Sequence, residues 1–161
     1  MTDGKNQDST KALTIRQCTI EDEDGAIVVC LKTGNSGDDG TMFYNDPKVL
    51  GYRYVSPYIH LSPDLAFVLA DSKGNIYGYV LAALDSTSFY QRYVDKWLPK
   101  MKELYPVIPS DDDSSKRDWK VIEDFHNNDL QSMKLFDDYP SHLHIDLLPE
   151  AQGSSIDIED E

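Results

Sequence analysis

Leu65-Ala66-Phe67-Val68-Leu69-Ala70, Asp71-Ser72-Lys73-Gly74-Asn75 and Ile76-Tyr77-Gly78-Tyr79-Val80-Leu81-Ala82-Ala83-Leu84 form two β-rich runs around a glycine-containing turn. A connection of that length joins antiparallel strands. Apolar residues fall on both alternations of each run, which implies a sheet covered on both faces. Helices must then flank it. The fold class is α+β, with a mixed, mainly antiparallel sheet of about four strands.

Working outward toward the amino terminus, Leu13 and Ile15 alternate with Thr14 and Arg16 as a first strand. Thr19, with Asp22 and Glu23 behind it, predicts the capped, acidic start of a helix over 20–31. Its apolar face is Ile27, Val28, Cys30 and Leu31, and Gly34 ends it. A loop with three glycines follows over 34–40, then a short helix within 41–50 starting near Asp46-Pro47.

On the other side, Phe89, Tyr93, Val94, Trp97, Leu98, Met101 and Leu104 recur at helical steps and predict a helix over 87–104, bent by Pro99. The stretch 106–115 contains Asp111-Asp112-Asp113, which reads as a solvated loop rather than a metal site. Helices over 116–126 and 130–136 lead to Ser141-His142-Leu143-His144-Ile145-Asp146-Leu147-Leu148, an alternating strand that Pro149 stops. Residues 1–11 read as a disordered polar tail, and 154–161 as an acidic tail. One domain remains between them, over 12–153.

The 161 residues carry a net charge of −14 with 40% hydrophobic content, enough for one ordinary core. That charge argues against nucleic acid or anionic membrane as partners, because no Lys/Arg cluster exists to displace phosphate counterions. Basic or amine-bearing partners fit better. Cys18 and Cys30 have no CxxC or zinc spacing, so free thiols in a reducing compartment are expected and no metal. The first twelve residues lack the apolar segment of a signal peptide, and no run approaches a membrane span. A cytoplasmic or nuclear location follows.

Six phrases carry a family resemblance: Cys30-Leu31-Lys32-Thr33-Gly34, Asp46-Pro47-Lys48-Val49-Leu50-Gly51, Tyr54-Val55-Ser56-Pro57-Tyr58, Leu65-Ala66-Phe67-Val68-Leu69, Gly78-Tyr79-Val80-Leu81-Ala82-Ala83-Leu84-Asp85 and His144-Ile145-Asp146-Leu147-Leu148-Pro149. Together with the element order they resemble the amino-terminal half of the GNAT N-acetyltransferases. The wording is nearest the acetyltransferase-like domain of O-GlcNAcases and its bacterial relatives. The resemblance spans roughly residues 12–153 and implies a truncated GNAT-like fold, without the helix, fifth strand and closing elements that follow in the family.

The resemblance also implies a chemistry. In the family, acetyl-CoA lays its pantetheine arm along the end of the fourth strand, here Asp146, Leu147 and Leu148. A loop of the form Gln/Arg-x-x-Gly-x-Gly/Ala then holds the diphosphate. Gln152 and Gly153 match that loop, Ser154 and Ser155 continue it, and Ser155 and Asp157 fall where small residues belong. If the loop needs positive φ at Ser155, its Cβ raises the energy by about 1–2 kcal/mol. Asp157, Glu159, Asp160 and Glu161 would repel the anion.

His142, His144 and Asp146 share one face of the strand. That row implies a proton relay in which His144 accepts and Asp146 orients it, or a polar face packed beneath a helix. Asp38 and Asp39 lie in the loop that lines the family's acceptor site, where they would hold a cationic amine, or else form a solvated acidic loop. Tyr52, Tyr54, Tyr58, Tyr77 and Tyr79 read as core and sheet packing.

Two functions fit. One is acetyl transfer from acetyl-CoA to an amine, on a small molecule or a protein lysine, impaired by the altered loop and the missing second half. The other is a non-catalytic GNAT-derived interaction module or a truncated fragment. In either case the 141–148 strand would be an open sheet edge, through which a homodimer can form.

Overall fold

The computed structural model describes residues 12–110, 116–127, 135–153 and 156–158. The hairpin is as expected: β2 (Ala66–Asp71) pairs antiparallel with β3 (Ile76–Ala83), with a bulge at Leu69/Ala70. β1 (Leu13–Gln17) pairs antiparallel with β2, and β4 (His142–Leu147) with β3. A fifth strand, β5 (Ile156–Ile158), lies parallel to β1, giving the order β4-β3-β2-β1-β5. The sheet is therefore mixed and mainly antiparallel. The described part of the expected acidic tail is a sheet strand, while tail residues 1–11 and the Asp111–113 run lie outside the described residues.

Alternation sorts the sheet into two faces. Val68, Tyr79, Leu81 and Ala83 point into the core with the helices. α1 (Glu23–Thr33), α2 (Val49–Tyr54) and α3 (Ser56–Leu61) pack there, followed by α4 (Ser86–Arg92) and α5 (Leu98–Leu104). α6 (Asp118–Asn127) packs on α2 and α5 as an outer layer, and α7 (Leu135–Asp138) precedes β4. The opposite face carries Ile15, Phe67, Val80, Leu143 and Ile145 around an open apolar depression. The helices thus cover one face, and on the other, among the described residues, Ala151 packs over Leu13 and Leu69 while the rest lies open.

Three local differences from the sequence reading have physical causes. In α1 it is Val29, fully buried, that faces inward, while Val28 is half exposed, because Ala26, Val29, Cys30 and Thr33 recur at three- and four-residue steps and leave Val28 on the far side. The 87–104 helix exists in three parts, with a π turn over Tyr93–Trp97 between α4 and α5. Pro99 has no N–H and its ring would strike the preceding turn, so the turn widens there. The third difference is α3, a stretch to which the sequence reading assigns no element. Pro57 in its first turn has no N–H to leave unpaired, and Tyr58 and Ile59 bury one face.

Candidate functional site

β4 inverts the usual order of a half-buried strand. Its apolar Leu143 and Ile145 are 59% and 58% exposed, while His142, His144 and Asp146 turn toward the helical layer. A strand that directs its polar residues inward must supply them with partners. His142 bonds Ser86 Oγ through Nδ1 at 2.6 Å and Tyr58 Oη through Nε2 at 2.8 Å, and stacks on Tyr90. Burial lowers its pKa, so it sits as a neutral ring that donates through one nitrogen and accepts through the other.

The other two polar residues open into a cavity of about 300 Å³ lined by Cys30, Tyr44, Tyr54, Tyr79, His144 and Asp146, among others. Buried Tyr79 donates its hydroxyl to Asp146 Oδ2 at 2.5 Å, a charge-assisted bond that fixes the carboxylate at the cavity wall. Burial raises the Tyr79 pKa, so the phenol stays protonated. His144 rests against Tyr54 and Tyr58, and burial lowers its pKa against the raising influence of Asp146. The Cys30 thiol is pushed up to about 12, chiefly by burial, so no thiolate nucleophile forms in this cavity.

The wall bearing Tyr44 is fixed from α6. Asp118, itself buried, accepts the Asn45 N–H at 2.9 Å and the Asp46 N–H at 2.8 Å, and Arg117 N–H donates to Phe43 O. Sequence reading placed 116–126 as a helix but gave Asp118 no role. Asp followed by a helical run is an ordinary helix start, and nothing local reveals acceptors for a loop seventy residues away.

At the sheet edge, the Leu148 N–H donates to Tyr77 O at 2.8 Å. Antiparallel ladders alternate, so the backbone groups of Leu143, Ile145 and Leu147 face the open side of β4. The Leu147 carbonyl already accepts the Gln152 side-chain amide at 3.2 Å.

No family model matches the sequence. The chain is 29% identical to protein O-GlcNAcase of Rattus norvegicus over 149 residues, 92% of this chain and 16% of that protein, with the same figures for Mus musculus. The solved structure of SsHAT superposes with a TM-score of 0.75 at 34% identity, covering 88% of this chain and 69% of that one. The chain belongs to the GNAT-like acetyltransferase domains. This GNAT-like domain spans only 16% of the length of the curated relatives.

Within the GNAT-like frame, the structure brings together His144 and Asp146 in one cavity, and sends His142 to Ser86 and Tyr58 instead. Asp38 and Asp39 are exposed and do not line the cavity; Asp39 Oδ1 accepts the Thr41 N–H at 2.8 Å, and hydrogen bonding from the Thr41 side chain and then its backbone holds the Asp39 pKa down. Leu147 offers its backbone to the open edge, whereas Leu148 turns inward and its side chain is buried.

The loop after β4 is a 3-10 turn over Pro149–Ala151. Two of its N–H groups are engaged internally: Ala151 donates to Leu148 O at 2.9 Å, and Gln152 to Pro149 O at 3.2 Å. Gly153 takes positive φ, +73°, the one left-handed position described in this loop. Ser154 and Ser155 lie outside the described residues. A diphosphate cradle needs successive N–H groups aimed at the anion and a helix start behind them. Among the described loop residues, the Ala151 and Gln152 N–H groups turn back into the loop rather than out toward an anion. Among the described residues no cluster of His, Cys, Asp and Glu could hold a metal, and no helix is long and apolar enough to cross a membrane.

Proposed function

We propose that this GNAT-like acetyltransferase domain retains an acceptor site for a primary amine, and that its transfer of acetyl from acetyl-CoA is impaired on the donor side. The Tyr79-oriented carboxylate of Asp146 in a cavity walled by tyrosines carries the first half of this reading. A carboxylate beside aromatic faces attracts an ammonium ion by charge and by the ring quadrupole. Neutral His144, next to Asp146, can accept the proton that an ammonium must lose before its nitrogen becomes a nucleophile. The engaged N–H groups of Ala151 and Gln152 support the second half.

A lysine side chain and a small alkylamine satisfy this cavity equally. The two free, buried cysteines agree with a reducing compartment, the cytoplasm or nucleus. Titration of n-hexylamine, followed by NMR of the Tyr44 and Tyr54 rings, tests the acceptor reading. Wild-type protein should bind with about millimolar affinity and Asp146→Asn about tenfold more weakly, the loss of one charged contact. Equal binding by the two proteins would refute the assignment of Asp146.

A further inference from the structure

A second cavity, of about 310 Å³, adjoins the first and shares the wall made by Tyr44, Leu50 and Tyr54. Its lining has the opposite charge. Arg117, just before α6, and Lys120, in its first turn, face it, with Asp124 as its one carboxylate. Asp124 lies 3.9 Å from Arg53, which already offsets its charge.

In a chain of net charge −14, a cavity with two cations against one half-neutralised acid is a local reversal of sign. Arg117 is held in place: its guanidinium lies 3.9 Å over the Phe43 ring, and both terminal nitrogens donate to Asn35 Oδ1 at 3.2 Å. That leaves further N–H groups of the fork unused by Asn35. Lys120 is exposed, and its ammonium has no partner among the described residues. An immobile guanidinium beside an adaptable ammonium suits a carboxylate.

We propose that the acceptor is dipolar: its amine enters the Asp146 cavity, and a carboxylate on the same molecule reaches across the Tyr44–Tyr54 wall to Arg117 and Lys120. The inference rests on the amine-acceptor reading above and adds the chemical class of the acceptor. An ω-amino acid has this form, as does a lysine followed by an acidic side chain.

The test compares ω-amino acids from 4-aminobutanoate to 8-aminooctanoate with the n-alkylamine of matching length, by NMR titration. At the best-fitting length the amino acid should bind about tenfold more tightly than the alkylamine, as expected for one added charge-assisted pair. In Lys120→Glu, checked for an unchanged melting curve, that affinity ratio should fall to about one or below. A ratio near one at every length in the wild type, or a ratio untouched by Lys120→Glu, overturns the proposal while leaving the amine site standing. Failure of every alkylamine and amino acid to bind overturns the amine site as well.

Discussion

Gly78→Ala sets two rules of strand stability against each other. Glycine in a strand interior is normally less stable than alanine by roughly 0.5–1 kcal/mol, because it gives up more backbone freedom on folding. At Gly78 the ladder leaves no room for the gain. A Cβ built there meets the Leu147 side chain directly and lies 2.8 Å from the Asp146 carbonyl oxygen. The leucine can rotate; the carbonyl belongs to the β4 backbone and can recede only if the strand moves. Overpacking of this kind costs about 1–3 kcal/mol, so a net loss of about 1–2 kcal/mol remains after the propensity gain. For a chain of this size that corresponds to a Tm lower by about 2–8 °C. Because Asp146 moves with its carbonyl, the Tyr79 bond should lengthen and n-hexylamine binding weaken in parallel. Thermal and urea unfolding followed by circular dichroism measure the first effect. A Gly78→Ala protein that melts at or above the wild type would refute the register and the tight β3–β4 approach.

Three further outcomes follow from the same geometry. Asp118→Ala leaves the Asn45 and Asp46 N–H groups without their carboxylate and should cost about 2–4 kcal/mol in urea unfolding, with faster hydrogen exchange over 43–46; a change below about 0.5 kcal/mol would contradict the strap. Arg16, with help from Thr19, lowers the Asp22 pKa from 3.8 to about 2, so this carboxylate's stabilisation is complete above pH 3.8 and is lost as pH falls through about 2. Asp22→Asn should flatten that acid limb, and an unaltered acid profile would show the pair contributes nothing. The open β4 edge should pair antiparallel with a second copy, giving concentration-dependent sedimentation that Ile145→Lys reduces; monomer at every concentration would count against it.

The hairpin, β1, α1, α6 and β4 were legible because each writes its own period or cap into the chain. Gly34, Thr19 and Pro149 mark ends for local steric and hydrogen-bonding reasons that need no tertiary contact. What escaped depends on partners distant in sequence. α3 is six residues long and is stabilised by the face it buries, and β5 exists through its pairing with β1. The site divides the same way. His144 and Asp146 announced themselves by alternation, but Tyr79 read as packing until its hydroxyl was placed against Asp146, and Asp38 and Asp39 read either as ligands of an amine or as a solvated acidic loop, and both side chains are exposed.

The proposal that acetyl transfer is impaired on the donor side is tested most directly by calorimetric titration of acetyl-CoA beside S-acetylpantetheine, which lacks the nucleotide and its diphosphate. The proposal predicts that both bind alike and no tighter than about millimolar. Micromolar acetyl-CoA binding, tenfold or more tighter than S-acetylpantetheine, would contradict it.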